Sequence, residues 1–341
     1  MSYLLKKKIS QIKKKIIKRH ILELSFSEIC LYAQHRISNL LSNSVAASRE
    51  EIKYNLCEVG PGRSRIDPWT LEIVLQSSTF QSTITLESID AGNNVFYFRS
   101  RDAKQGVEEA IKLKTPILAN INALLKKRGV FSNLTETIQN IAQINGYELH
   151  NDIYYGEGFV DWELRSEDSN LLIRFYNTRN WIYPNGSEIW SLVLKAHEAN
   201  LQPIILAPFI HGACFLIFKR VGILGRSLYR SFTAQEMPKM PPEKELLEIN
   251  YSTGRFVNSG DDLPEVSSLL ERTIPSLSGT LKKTLRKEMP HKELMLASKS
   301  CYDRNMQEQL SSLRKISDLL ELPSRHKIGS LIQRYNSYLQ P

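Results

Sequence analysis

The chain has 341 residues, of which 42% are hydrophobic and 24% charged, a length that accommodates two or three domains and a balance too apolar for a disordered chain. Its net charge of +9 sits almost wholly at one end: residues 1–20 hold eight basic side chains and no acid, and the other 321 residues carry 37 basic against 36 acidic groups. Cys30, Cys57, Cys214 and Cys301 lie far apart without a CxxC pair, so neither a zinc site nor a disulfide framework is suggested.

In the basic segment Leu5, Ile9, Ile12 and Ile16 fall on one helical face, with lysines such as Lys6, Lys7, Lys13 and Lys14 on the others. Such a helix grips phosphates, lies on an anionic membrane, or packs its apolar stripe on its own domain. Helical periodicity continues to about residue 41. From 52 to 98 the pattern favours strands, at 70–75, 79–86 and 95–98, with a turn at 90–94. Within it, Glu58-Val-Gly-Pro-Gly62 has the glycines of a phosphate loop but leads into a further strand-like run rather than a helix, so a plain turn is expected. Residues 102–128 read as a long helix kinked at Pro116.

The central segment is the most informative. A helix is predicted at 134–145, then strands at 147–154, 159–165 and 171–176 separated by Gly156-Glu-Gly158 and the polar turn 166–170. A helix at 187–200 and a buried strand at 203–207 follow. The order is α-β-β-β-α-β. Beyond it, the apolar run 209–222 packs under the sheet, and within it His211 and Cys214, three apart, read as core residues rather than a catalytic pair. The Pro-rich stretch Met237-Pro-Lys-Met-Pro-Pro242 opens a mostly helical C-terminal third with a second basic cluster at Lys282–Lys287 and helices at 305–320 and 326–338. The resulting division is a basic helical segment (1–48), a small β-containing domain (49–101), a connecting helix (102–133), the central core (134–235) and a helical region (236–341).

From about Thr135 to Arg226 this succession resembles the PD-(D/E)XK nuclease superfamily, with Asp161 in Gly158-Phe-Val-Asp161 at the first acidic position and the stretch Trp181-Ile-Tyr-Pro184 similar to nuclease-like proteins of prokaryotes. The resemblance implies an α/β (α+β) restriction-endonuclease-like core. In active members an acidic pair on adjoining strands holds a magnesium ion and a lysine serves the attacking water. Here the Glu-x-Lys positions are Arg174 and Tyr176, a degenerate motif in which Arg174 places positive charge where a dication would bind and is able to pair with Asp161 instead.

If the protein is active, the candidate catalytic residues are Asp161, also the metal ligand, together with Glu163, which shares its strand face, Glu136 on the preceding helix and Lys195 on the following one. Magnesium or manganese is expected only in that case, and otherwise no cofactor. If the protein is inactive, Lys6, Lys7, Lys13, Lys14, Arg174, Arg179 and Lys195 are candidate phosphate contacts. The expectation is therefore a catalytically degenerate, nucleic-acid-binding protein, with DNA favoured over RNA, or a nuclease-like subunit with a protein partner in a DNA-handling or defence assembly. The alternatives are an active metal-dependent endonuclease and an interaction protein whose basic helix touches a membrane or partner. No spanning segment or signal peptide is read, and a cytoplasmic location is expected.

Overall fold

The computed structural model describes residues 24–58, 65–78, 86–91, 94–99, 104–128, 134–155, 159–167, 169–176, 180–227, 268–273, 289–300, 305–323 and 327–339, with the single positions 7, 10–12, 80, 102 and 303. The fold is mixed α+β and divides into two compact units: Met1–Ala123 with Met240–Asn250 and Ser337–Pro341, and Leu124–Lys239 with Tyr251–Asn336.

The first unit begins, after Lys7 and residues 10–12 in helical conformation, with helix α1 (Phe26–Asn43), which a Ser25–Glu28 capping box starts. Strand β1 (Ala46–Ser48), the short helix α2 (Arg49–Lys53) and a π-helical turn (Tyr54–Glu58) follow. Residues 70–75, expected as a strand, are helical: α3 spans Pro68–Gln76. Asp67 accepts from the Trp69 and Thr70 amides and Pro68 sits in the first turn, so start signals outweigh the β-branched residues that suggested a strand. The premise that no helix follows the Gly60–Gly62 loop is corrected with it. The helix N-terminus that does follow is capped by the chain's own aspartate, and positions 59–64 lie outside the described residues.

Strands β2 (Leu86–Ala91) and β3 (Asn94–Arg99) form an antiparallel hairpin, and β1 pairs on the far side of β3. The expected strand at 79–86 lies mostly outside the described residues. Helix α4 (Lys104–Arg128) contains Pro116. Inside this unit Lys114, 4% exposed, donates to Ser44 Oγ, to the Ala46 carbonyl and to Glu51, so its buried charge is fully engaged.

The second unit holds the central segment, whose elements lie close to the expected positions: α5 (Leu134–Ile144), β4 (Glu148–Tyr155), β5 (Phe159–Arg165), β6 (Asn170–Tyr176), a short β7 (Trp181–Ile182), α6 (Ser187–Glu198) and β8 (Gln202–Ala207). The run 209–222 resolves into β9 (Phe209–Ile210), pairing with β7, and α7 (Cys214–Val221), and is followed by β10 (Leu224–Ser227). The main sheet has the order β10-β8-β6-β5-β4: β4, β5 and β6 run antiparallel, and β8 and β10 continue parallel to β6.

Strand alternation gives the sheet two different faces. Trp162, Leu164, Leu171, Ile173, Phe175, Ile204 and Leu206 form one, cored with Ile138, Ile141 and Ala142 of α5. The opposite face is covered by α6, whose Ile189, Leu192, Val193 and Ala196 are buried. On the outer side of α6 lies α8 (His291–Ala297), followed in sequence by α9 (Met306–Leu319) and α10 (Lys327–Leu339), whose residues from Ser337 on belong to the first unit. The chain after α8 is tied to the start of α6 by the Ser187 amide to the Lys299 carbonyl at 2.8 Å and by Asn185 to Gln309. At that start a Cβ on Gly186 would meet the tip of the Glu188 side chain at 2.8 Å and the Tyr183 carbonyl oxygen at 3.2 Å, so a larger residue there requires a small local shift. The Pro-rich stretch and the Lys282–Lys287 cluster lie outside the described residues.

Candidate functional site: a buried ion pair under helix α6

The register of the β5–β6 hairpin places Asp161 directly opposite Arg174 on the face that α6 covers. Both are buried, at 1% and 2% exposure. The guanidinium meets the carboxylate side-on, Nε donating to Oδ1 at 2.6 Å and Nη2 to Oδ2 at 2.7 Å. Its third nitrogen, Nη1, donates to Ser191 Oγ at 2.7 Å and to the Glu188 carbonyl, both on α6. Lys195, one helical turn beyond Ser191, brings Nζ to 3.3 Å from Asp161 Oδ2 while staying one-third exposed. Burial works against the Arg174 charge, but the hydrogen-bonded Asp161 carboxylate, with Tyr176 beside it, outweighs it and holds the guanidinium pKa above its ordinary value.

The sequence-predicted residues are distributed unevenly around this centre. Asp161, Arg174 and Lys195 converge. Tyr176 is buried on the same strand, 1% exposed. Glu163 stands two positions along the same face and accepts from Arg165 Nε at 2.7 Å. Glu136 belongs to α5, the helix on the other face of the sheet, and its side chain is outside the described residues. Lys7 is exposed; Lys6, Lys13, Lys14 and Arg179 fall outside the described residues.

Two partners of Arg174 escaped the sequence reading, Ser191 and the Glu188 carbonyl. Their signal was the 188-191-195 spacing, which sets three positions on one stripe of α6. His211 and Cys214 take core roles: His211 Nδ1 accepts from the Ala213 amide at 3.2 Å and its ring lies on Tyr183, while Cys214 Sγ bonds the Ile182 carbonyl at 3.2 Å.

The donor set does not fit a catalytic magnesium or manganese ion. Such an ion wants several oxygens at about 2.0–2.1 Å in near-octahedral order. Here both oxygens of Asp161 are taken by a guanidinium. A dication approaching Asp161 would meet the charges of both Arg174 and Lys195. Among the described residues no group of three or more His, Cys, Asp or Glu side chains is placed to hold a metal.

No family model matches the sequence. Nor does any curated protein. Among solved structures, that of EndoMS in apo form aligns with 40% of this chain and 50% of its own, at 18% identity and a TM-score of 0.22. The chain thus spans half the length of that protein, and a likeness of this size does not establish a shared fold. Among the described residues no helix is long and apolar enough to cross a membrane.

Proposed function

We propose that the second unit is a PD-(D/E)XK nuclease-like domain whose metal centre has become an internal ion pair, and that the protein works by holding nucleic acid, DNA in preference to RNA, or as a nuclease-like subunit of a prokaryotic DNA-handling or defence assembly. The element order α5-β4-β5-β6-α6-β8 and the place of Asp161 on the second strand support the fold part of this reading. The observation that carries the functional part is the side-on Arg174–Asp161 pair, which leaves the only acidic residue at the motif position engaged by a cation of the chain itself. With no dication to neutralise a phosphate, the exposed end of Lys195, Arg179 and the lysines of residues 1–20 take that task.

A nucleic-acid titration tests this. Binding of labelled duplex DNA is expected to weaken linearly in log K against log salt, with a slope of about −0.9 per phosphate contacted, and RNA to bind more weakly. A salt-independent or absent interaction would remove nucleic acid from the account and leave the partner-subunit role.

The proximity of Lys195 to Asp161 favours a second reading, a metal-dependent endonuclease using Asp161, Glu163 or Glu136, and Lys195. It requires Arg174 to leave four hydrogen bonds before a metal reaches Asp161. It is therefore the weaker of the two.

A further inference from the structure

The Arg174 head donates to oxygens on both β5 and α6. Two come from Asp161 on β5, one from Ser191 and one from the Glu188 backbone on α6. These acceptors belong to two different elements, and together they engage all three nitrogens of one planar fork. The Glu188 carbonyl and the Ser191 hydroxyl are themselves joined at 3.0 Å, so the α6 side of the cage is ordered independently of the arginine. We propose that the space between β5, β6 and α6 is a binding site for a guanidinium group, which the chain fills in cis with Arg174, and that filling it is what fixes α6 to the sheet.

The chemistry discriminates between cations. A guanidinium distributes its charge over three nitrogens in one plane and satisfies acceptors set well apart, whereas an ammonium is a compact point charge and magnesium draws its oxygens to about 2.0–2.1 Å. Acceptors arranged for 2.6–2.7 Å contacts to Nε, Nη1 and Nη2 are therefore matched to the fork. With Lys195 already at Asp161 Oδ2, a second, doubly charged ion gains little from the single carboxylate. The proposal concerns the same side chains as the functional reading above, but its test reads stability, so either can fail without the other.

The test is chemical rescue. Arg174→Ala in the full chain is expected to melt well below the wild type, and guanidinium chloride at tens of millimolar, against sodium chloride of equal ionic strength, is expected to recover most of the lost midpoint while not raising that of the wild type. Magnesium and manganese chloride are expected to recover none. Rescue by either metal as large as that by guanidinium would overturn the proposal, since the cage would then be a general cation site. No rescue by guanidinium in a variant shown by circular dichroism to be folded would overturn it too. If Arg174→Ala does not fold alone, refolding yield with guanidinium against magnesium reads the same question. Arg174→Lys, with one nitrogen for the fork's three, is expected to fold but melt below wild type; a wild-type midpoint would show that any single charge suffices.

Discussion

Removing one partner of a buried ion pair strands the other in surroundings that solvate it poorly, so the cost of a single substitution exceeds the worth of the pair. Asp161→Ala is therefore expected to lower unfolding free energy by about 3–5 kcal/mol, and the double change Asp161→Leu with Arg174→Met, which strands neither charge of the pair, is expected to cost less. Urea denaturation of the three proteins checks this, and a single variant as stable as the wild type would mean the pair is not desolvated in solution. Two cysteines give an independent reading of burial. Desolvation pushes the thiols of Cys57 and Cys214 well above their ordinary range, and a buried thiol that stays protonated is a poor nucleophile. Both should escape a thiol reagent in the native protein and react after unfolding, as read by mass spectrometry; rapid native labelling of either would contradict the packing described.

The Asp161–Arg174 pair was legible in the sequence because it needs only local information. A polar turn at 166–170 fixes the hairpin, and period-two alternation then sets the two residues opposite each other on one face. The Ser191 and Glu188 contacts were not, since they depend on how α6 is rotated over the sheet, a matter of packing.

Among elements, β5 was read at its observed bounds, Phe159–Arg165, because alternating side chains between turn formers admit one interpretation. In helix α3 the start signals override a strand-like composition. Thr70, Ile73 and Val74 suggested extended structure, but Asp67 followed by Pro68 is a helix start. Asp67→Ala should cost about 1 kcal/mol through loss of that cap, measured as a shift in the denaturation midpoint; no shift would mean the helix is held by burial alone. The apolar run 209–222 was seen but not resolved into β9 and α7, because short apolar stretches lack a decisive period.

The packing of α8 on α6 carries a pH dependence. His291 at the start of α8 stacks on His197 near the end of α6, with ring centroids 4.0 Å apart. Burial, and then the His197 charge, lower the His291 pKa, while the Met289 carbonyl and Glu293 act the other way. The unfolded chain binds that proton more readily, so stability should be full above about pH 6.5 and fall as pH drops through the lowered folded value. Urea midpoints between about pH 7.5 and pH 5 should therefore decline more for the wild type than for His291→Gln. Parallel profiles would locate the acid sensitivity elsewhere.

At the scale of the molecule the charge distribution matters more than the net value. The +9 is nearly all in residues 1–20, and a body close to neutral supplies little non-specific attraction of its own. Deleting residues 1–20 should reduce both DNA affinity and its salt slope; an unchanged slope would assign the phosphate contacts to the second unit.

Under the proposed function, Arg174 closes a nuclease-like site. The direct measurement is cleavage of labelled single- and double-stranded DNA and RNA by the purified full chain in magnesium, in manganese and in chelator, with Asp161→Ala and Lys195→Ala alongside. The same background, with intact substrate, is expected in every case. Cutting that needs the metal and disappears in both variants would contradict this expectation and show that Arg174 leaves Asp161 to make room for a working metal site.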